Sequence, residues 1–83
     1  MAMSAEKRLT NSVVRRIEEL CKERNWKPHK LAMEANVSAP TIHYLLNKSR
    51  TTVNLATIQK ICIACGISVL DFFNRPYFDE KSE

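Results

Sequence analysis

Apolar residues in the first third of the chain recur at steps of three and four positions, which is the period of an amphipathic α-helix. The members of this stripe are Val13, Ile17, Leu20 and Cys21, continued by the aliphatic stem of Arg24. Residues 10–12 carry side chains that can cap a helix N-terminus. We therefore predict a first helix that begins at these caps and ends near Asn25, with Arg15 and Arg16 on its solvated face.

Two short helices joined by a tight turn are predicted next. Pro28 suits the first turn of the second helix, where its missing N–H is not needed. Asn36 tolerates the left-handed backbone conformation that ends a helix. Ser38 is then the N-cap of a third helix running to about residue 47. Because the second residue of that helix is a proline, the Ser38 hydroxyl must cap the N–H of Thr41.

The pattern predicts two more helices after a polar loop at residues 48–53. Asn54 caps a fourth helix, and Gly66, the only glycine, stands where that helix must end. Ser68 and Asp71 have the spacing of a capping box and start a short fifth helix that continues through Phe73. The sequence contains no strand pattern, repeat or glycine-rich phosphate loop.

These elements predict an all-α fold, a compact bundle of five helices that contains a helix-turn-helix. With 83 residues, 45% hydrophobic and 27% charged, the chain has the size and composition of one folded domain. We expect a flexible lead-in over residues 1–9, the domain over 10–73 and a tail over 74–83. No apolar run is long enough to cross a membrane, and residues 1–8 lack the apolar core of a secretory signal, so we expect a cytoplasmic protein without a membrane partner.

The net charge of +4 is unevenly distributed along the chain. From Lys7 to Lys60, eleven Lys and Arg side chains stand against four Glu side chains, which leaves +7, whereas two basic and four acidic side chains from Asp71 onward leave −2. A basic domain favours a polyanionic partner.

The three cysteines do not have the pattern of a metal or redox site. Cys62 and Cys65 form a C-x-x-C pair, but a zinc site needs four ligands and a thioredoxin-like site needs a βαβ unit. We expect all three thiols to be buried apolar groups, and we expect no cofactor, metal or small-molecule effector. No nucleophile–base pair is evident, so the sequence does not predict an enzyme.

The third helix should have an unusual outer face without charge. Its predicted members are Ala39, Pro40, Thr41, His43 and Tyr44. A tyrosine on this face is either a half-buried packing residue or part of a binding surface.

Residue-level similarity runs from Ile17 to Phe73. The matching segments are residues 16–20, Leu31-Ala32, residues 36–38, Thr41-Ile42, Leu46-Asn47, Leu55-x-x-Ile58-x-x-Ile61 and residues 65–73 (CGISVLDFF). With these segments the chain resembles the lambda-repressor-like, XRE-type (Cro/C1-type) helix-turn-helix regulators. The resemblance implies a lambda-repressor-like five-helix bundle that binds double-stranded DNA, usually as a homodimeric repressor on a palindromic operator.

The resemblance also implies which residues contact DNA. Base edges would be contacted by the outer face of the third helix, Ala39, Pro40, Thr41, His43 and Tyr44. Phosphates would be contacted by Lys27, Pro28, His29 and Lys30 at the start of the second helix and by Asn47, Lys48, Ser49 and Arg50 after the third. Many family members have Thr or Ser followed by Gln where this chain has Lys27-Pro28. The outer face of the third helix has no Arg, Gln or Asn before Asn47, so no side chain there can make a bidentate hydrogen bond to guanine or adenine. We therefore expect that direct contacts to bases give only modest sequence specificity.

Two alternatives remain open from the sequence. The uncharged outer face of the third helix also suits a protein-interaction module, antitoxin-like or an adaptor. Tyr77 and Phe78 in the tail could form a dimer contact, or they could fold back over Trp26.

Overall fold

The computed structural model describes residues 5–47 and 53–79. The α-helices are α1 (Ala5–Arg24), α2 (Pro28–Ala35), α3 (Ala39–Leu45), α4 (Leu55–Cys65) and α5 (Val69–Phe73), followed by a 3₁₀ helix (Pro76–Phe78). No strand occurs within these residues, so the predicted all-α, five-helix architecture is confirmed. No helix in the described ranges has the length and apolar character needed to span a membrane.

One core joins all five helices. Its fully buried centre consists of Ile17, Leu20, Leu31, Ile42, Leu45, Ile61 and Phe72. Each helix contributes at least one of these side chains, and α2 packs closely against both α3 and α4. Burial of these apolar side chains is the main favourable term for a domain of this size. The core therefore fixes where α2 and α3 lie relative to the rest of the molecule.

The first helix begins at Ala5, earlier than predicted. Residues 10–12 lie inside α1 instead of capping it, and Thr10 is buried. The hydrophobic stripe of α1 includes this threonine, and its small side chain fits on the buried face one turn before Val13 and Val14. The predicted lead-in is correspondingly shortened, since residues 5–9 are helical and residues 1–4 lie outside the described ranges.

Three helices end at residues with positive φ. Asn25 (φ 57°), Asn36 (φ 58°) and Gly66 (φ 72°) follow α1, α2 and α4 in turn. The last two were predicted from the sequence as helix terminators. At the end of α1, the N–H of Trp26 donates to the carbonyl oxygen of Cys21 at 2.8 Å, which closes the last turn.

Arg16 corrects the predicted solvated face of α1. Its side chain is only 1% exposed, whereas Arg15 is on the surface. Arg16 Nε donates to the carbonyl oxygen of Phe72 at 2.8 Å, and Arg16 Nη2 donates to that of Asp71 at 3.3 Å. The guanidinium is thus a structural link between α1 and α5 and cannot serve as a solvated charge.

The tail folds back onto its own chain. The Tyr77 hydroxyl donates to Glu19 Oε1 at 2.6 Å, and the Tyr77 carbonyl accepts from the Ser12 hydroxyl at 3.0 Å. The Phe78 ring lies 5.0 Å from the Phe73 ring, centroid to centroid. The tail therefore packs over the middle of α1 and the end of α5, and a dimer contact by Tyr77 and Phe78 stays a prediction.

Candidate nucleic-acid interface

The helix-turn-helix is built from α2, α3 and a three-residue turn. Asn36 occupies the left-handed region at φ 58° and ψ 44°, and its N–H donates to the carbonyl oxygen of Met33 at 3.2 Å. The N–H of Val37 donates to that of Ala32 at 3.0 Å. These two bonds satisfy carbonyls that the end of α2 would otherwise leave unpaired, so the chain reverses sharply into α3.

The start of α3 is fixed by Ser38, as predicted. The Ser38 hydroxyl oxygen accepts from the N–H of Thr41 at 3.2 Å, and it also shares a hydrogen bond with the Thr41 hydroxyl at 2.6 Å. Ile42 and Leu45 then anchor α3 in the core. The Thr41 hydroxyl thus has a hydrogen-bond partner on Ser38, whereas the Thr41 methyl group takes no part in this contact.

The predicted outer face of α3 is exposed. Pro40, Thr41, His43 and Tyr44 are all on the surface, and Ala39 is partly buried. The Tyr44 side chain is 59% exposed, which argues against the half-buried packing role considered from the sequence. The structure thus brings the predicted base-contacting side chains onto one short helix, and their role in contacting bases stays a prediction.

The N-terminus of α2 is also exposed. Lys27 is the N-cap residue, with extended backbone and no side-chain cap, so the first N–H groups of α2 have no partner from that side chain. Pro28, His29 and Lys30 follow on the surface. The Lys30 ammonium pairs with Glu34 Oε2 at 3.0 Å, and an exposed pair of this kind contributes little to stability. Unpaired N–H groups and nearby ammonium groups at a helix start can bind a phosphate.

The second predicted phosphate-contacting segment is only partly described. Asn47 is exposed, just past the end of α3, and its N–H donates to the carbonyl oxygen of Tyr44 at 3.2 Å. Lys48, Ser49 and Arg50 lie outside the described residues. Their phosphate contacts stay a prediction of the sequence.

The three cysteines are buried, as predicted. Cys21, Cys62 and Cys65 are free thiols in the core. Burial raises the pKa of each thiol above its ordinary value, and the neighbouring Cys65 raises that of Cys21 and Cys62 further. Within the described residues no group of three or more His, Cys, Asp or Glu side chains is arranged to hold a metal.

Several exposed apolar side chains were not identified from the sequence. Met33 on α2 and the pair Ile63 and Leu70 on α4 and α5 are large apolar side chains that face solvent. Because apolar residues are usually buried, the residue types alone did not indicate that these three side chains would be exposed. For Met33 the helical period places it off the face that Leu31, Ala32 and Ala35 bury.

Comparison with known proteins agrees with this geometry. The family model of the Cro/C1-type HTH DNA-binding domain matches residues 16–76. The crystal structure of the prophage Lp1 protein 11 is similar, with a TM-score of 0.76 and 28% sequence identity over 86% of this chain and 93% of that chain. No curated protein sequence matches the chain. The chain belongs to the Cro/C1-type helix-turn-helix family, and it is a DNA-binding transcription regulator of that type.

Proposed function

We propose that this regulator binds a specific operator as a homodimer and acts as a repressor. The observation that carries the proposal is the turn at Asn36 and Ser38, which holds α3 against the core while its outer face stays in solvent. A helix held in this way can enter the major groove with its first residues against base edges. The basic character of residues 7–60 supports the approach to a polyanion.

The side chains of α3 define how bases would be recognised. Thr41 and His43 can exchange hydrogen bonds with base edges, and the methyl groups of Ala39 and Thr41 can contact a thymine methyl. Among the seven residues of α3, APTIHYL, there is no Arg, Lys, Asn or Gln to make a bidentate contact. Phosphate contacts and DNA shape therefore supply a large share of the affinity and specificity.

A homodimer would place two α3 helices on successive turns of one face of the duplex. The expected separation is about 34–36 Å, or a multiple of it, so the operator is an inverted repeat with matching spacing. Repression then follows from occupancy, because a protein bound over a promoter blocks polymerase. In this proposal, operator occupancy depends on the concentration of the dimer.

Selection from random-sequence duplex DNA tests the proposal. We expect an inverted repeat with half-sites about one helical turn apart, and we expect affinity for it to fall steeply as salt is raised. Lys27→Glu should weaken binding, whereas Lys22→Glu, the same charge change at an exposed site on α1, should have a smaller effect. A selection that enriches no motif would contradict sequence-specific binding.

A protein-interaction module is a second candidate, supported by one observation. The exposed residues of α3 are uncharged and include Tyr44, and the exposed Met33 lies on the adjoining α2. Aromatic and Met side chains are enriched in protein interfaces. This alternative expects a protein complex that persists at high salt and weakens with Tyr44→Ala, whereas a DNA complex would dissociate as salt rises.

A further inference from the structure

A surface cavity of about 260 Å³ is formed by α1 and the helix-turn-helix. Its apolar walls are Ile17 and Cys21 from α1, Trp26 from the connection to α2, Pro28 at the start of α2 and Leu46 just past α3. Sites for drug-sized molecules enclose roughly 300–1,000 Å³, so this cavity suits a smaller ligand. Because its walls come from separate segments of the chain, the sequence alone does not reveal it.

The Trp26 wall of the cavity is held by hydrogen bonds and by a neighbouring guanidinium. The N–H of Trp26 donates to the carbonyl oxygen of Cys21 at 2.8 Å. The guanidinium of Arg24 lies 6.0 Å from the centre of the Trp26 ring, within the range of a cation–π contact. Arg24 is fixed in turn, because it donates to the carbonyl oxygens of Leu20 at 3.2 Å and Cys65 at 2.6 Å. The wall is therefore formed before any ligand binds, as is usual for small-molecule sites.

Two opposite charges on α1, Glu18 and Lys22, also line the cavity. They are one helical turn apart, and both are exposed. Within the described ranges neither side chain takes part in an ion pair, although their i,i+4 spacing would allow one between them. The cavity therefore offers one negative and one positive group beside its apolar walls.

A zwitterionic α-amino acid with an apolar side chain matches these features. Its ammonium group can donate to the carboxylate of Glu18, and its carboxylate can accept from the ammonium group of Lys22. Hydrogen bonds of this charged kind are stronger than neutral ones. Its side chain removes the apolar walls from water, which is favourable. A free amino acid fits better than a peptide, because a peptide does not carry both charges on one residue.

We propose that this cavity binds a free apolar amino acid, held at its charged end by Glu18 and Lys22. The bound molecule contacts the helix-turn-helix at Pro28 and Leu46, whereas the outer face of α3 does not line the cavity. The proposal departs from the sequence-based expectation that no small-molecule effector binds. It goes beyond operator binding and does not rest on it.

Titration of the full chain with L-leucine, without DNA, tests the site. Trp26 is the only tryptophan of the chain, so its fluorescence reports on the cavity. We expect saturable binding with a Kd below about 1 mM. L-leucinamide lacks the carboxylate and N-acetyl-L-leucine lacks the ammonium group, so each should bind at least about tenfold more weakly. Glycine has no apolar side chain and should not bind measurably.

Two substitutions that remove one charge each test the contacts at the charged end. Glu18→Gln and Lys22→Gln should each raise the Kd for L-leucine at least about fivefold. Lys60→Gln is the matched control for Lys22→Gln, since Lys60 is exposed on α4 and does not line the cavity. The control should bind L-leucine like the wild type, and circular dichroism should show that all three variants are folded.

Three results would overturn the proposal. The first is that L-leucine at about 10 mM neither changes the fluorescence of Trp26 nor raises the melting temperature, since a ligand of the native state must stabilise it. The second is equal binding of L-leucine, its amide and its N-acetyl derivative. The third is that Glu18→Gln and Lys22→Gln bind L-leucine as the control does. Because the titration contains no DNA, failure of this site is distinguishable from failure of operator binding.

Discussion

Arg16 on α1 and Phe72 on α5 are joined by a hydrogen bond of 2.8 Å from Arg16 Nε to the Phe72 carbonyl oxygen. Arg16 Nη2 reaches the Asp71 carbonyl oxygen at 3.3 Å, and Arg16 Nη1 lies 3.6 Å from Glu19 Oε1. The last carbonyls of a helix have no partner within it and carry partial negative charge. A buried guanidinium therefore caps α5 and fixes it against α1.

Replacing Arg16 should destabilise the fold. Arg16→Met removes the guanidinium hydrogen bonds to the Phe72 and Asp71 carbonyl oxygens, although the Asp71 carbonyl keeps the N–H of Asn74 as a donor. We expect a loss of about 2–3 kcal/mol in the free energy of unfolding. Arg15→Met is the control, since it removes the contact of an exposed guanidinium with the Tyr77 ring, 4.2 Å away. The Arg15→Met substitution should lower the free energy of unfolding by about 0.5–1 kcal/mol or less. Urea denaturation measures both, and equal losses would contradict the capping role of Arg16.

The Tyr77 hydroxyl should make the stability of the fold pH-dependent in the alkaline range. Burial, together with the hydrogen bond to Glu19, raises the pKa of Tyr77 to about 12 from an ordinary value of 10.0. The folded state favours the neutral phenol of Tyr77. The stabilisation that Tyr77 gives the fold is therefore fully present below pH 10 and is lost as pH rises from 10 towards 12.

Tyr77→Phe isolates this contribution. We expect the variant to be about 0.5–1.5 kcal/mol less stable at pH 7, with the difference from wild type shrinking above pH 10. Tyr44→Phe serves as the exposed control. Thermal unfolding across pH measures the difference, and a gap that stays constant up to pH 12 would contradict the assigned hydrogen bond.

The turn between α2 and α3 should require a residue that tolerates positive φ. Asn36→Val places a β-branched residue at φ 58°, and we expect a loss of about 1–2 kcal/mol. Asn36→Gly relieves the steric strain and should remain close to wild type. Thermal melts and binding to the selected operator should change together. Equal stability of the two variants would show that the left-handed turn is not maintained in solution.

The three thiols should react slowly in the native protein. They are buried, and burial raises the pKa of each, so little thiolate is present or accessible at neutral pH. A chromogenic disulfide reagent should label them slowly under native conditions and rapidly in urea. Rapid native labelling would show that α1 and α4 separate readily.

The local features of the fold could be predicted from the sequence. Pro28, Asn36, Ser38 and Gly66 act through their own backbone or side chains within a few residues, and the structure places them as predicted at helix starts and ends. The period of the apolar residues was also sufficient to place Ile42 and Leu45 inward and Tyr44 outward.

The features that depend on distant partners could not be predicted. Arg16 is buried because carbonyl groups 55 and 56 positions away accept its hydrogen bonds. Residue type suggests a solvated charge there, although the spacing to Val13 and Leu20 put it next to the buried stripe. The exposure of Ile63 and Leu70 is equally non-local, because it depends on which helices pack together.

Base contact by the outer face of α3 can be tested with one affinity ratio. The ratio compares the selected operator with a scrambled duplex of the same length and composition, at one salt concentration, for wild type and for His43→Ala. We expect a ratio of at least about 10³ for wild type. The variant should lose affinity for the operator while binding the scrambled duplex as before. A wild-type ratio near one, or a His43→Ala variant with an unchanged ratio, would contradict base contact by this face.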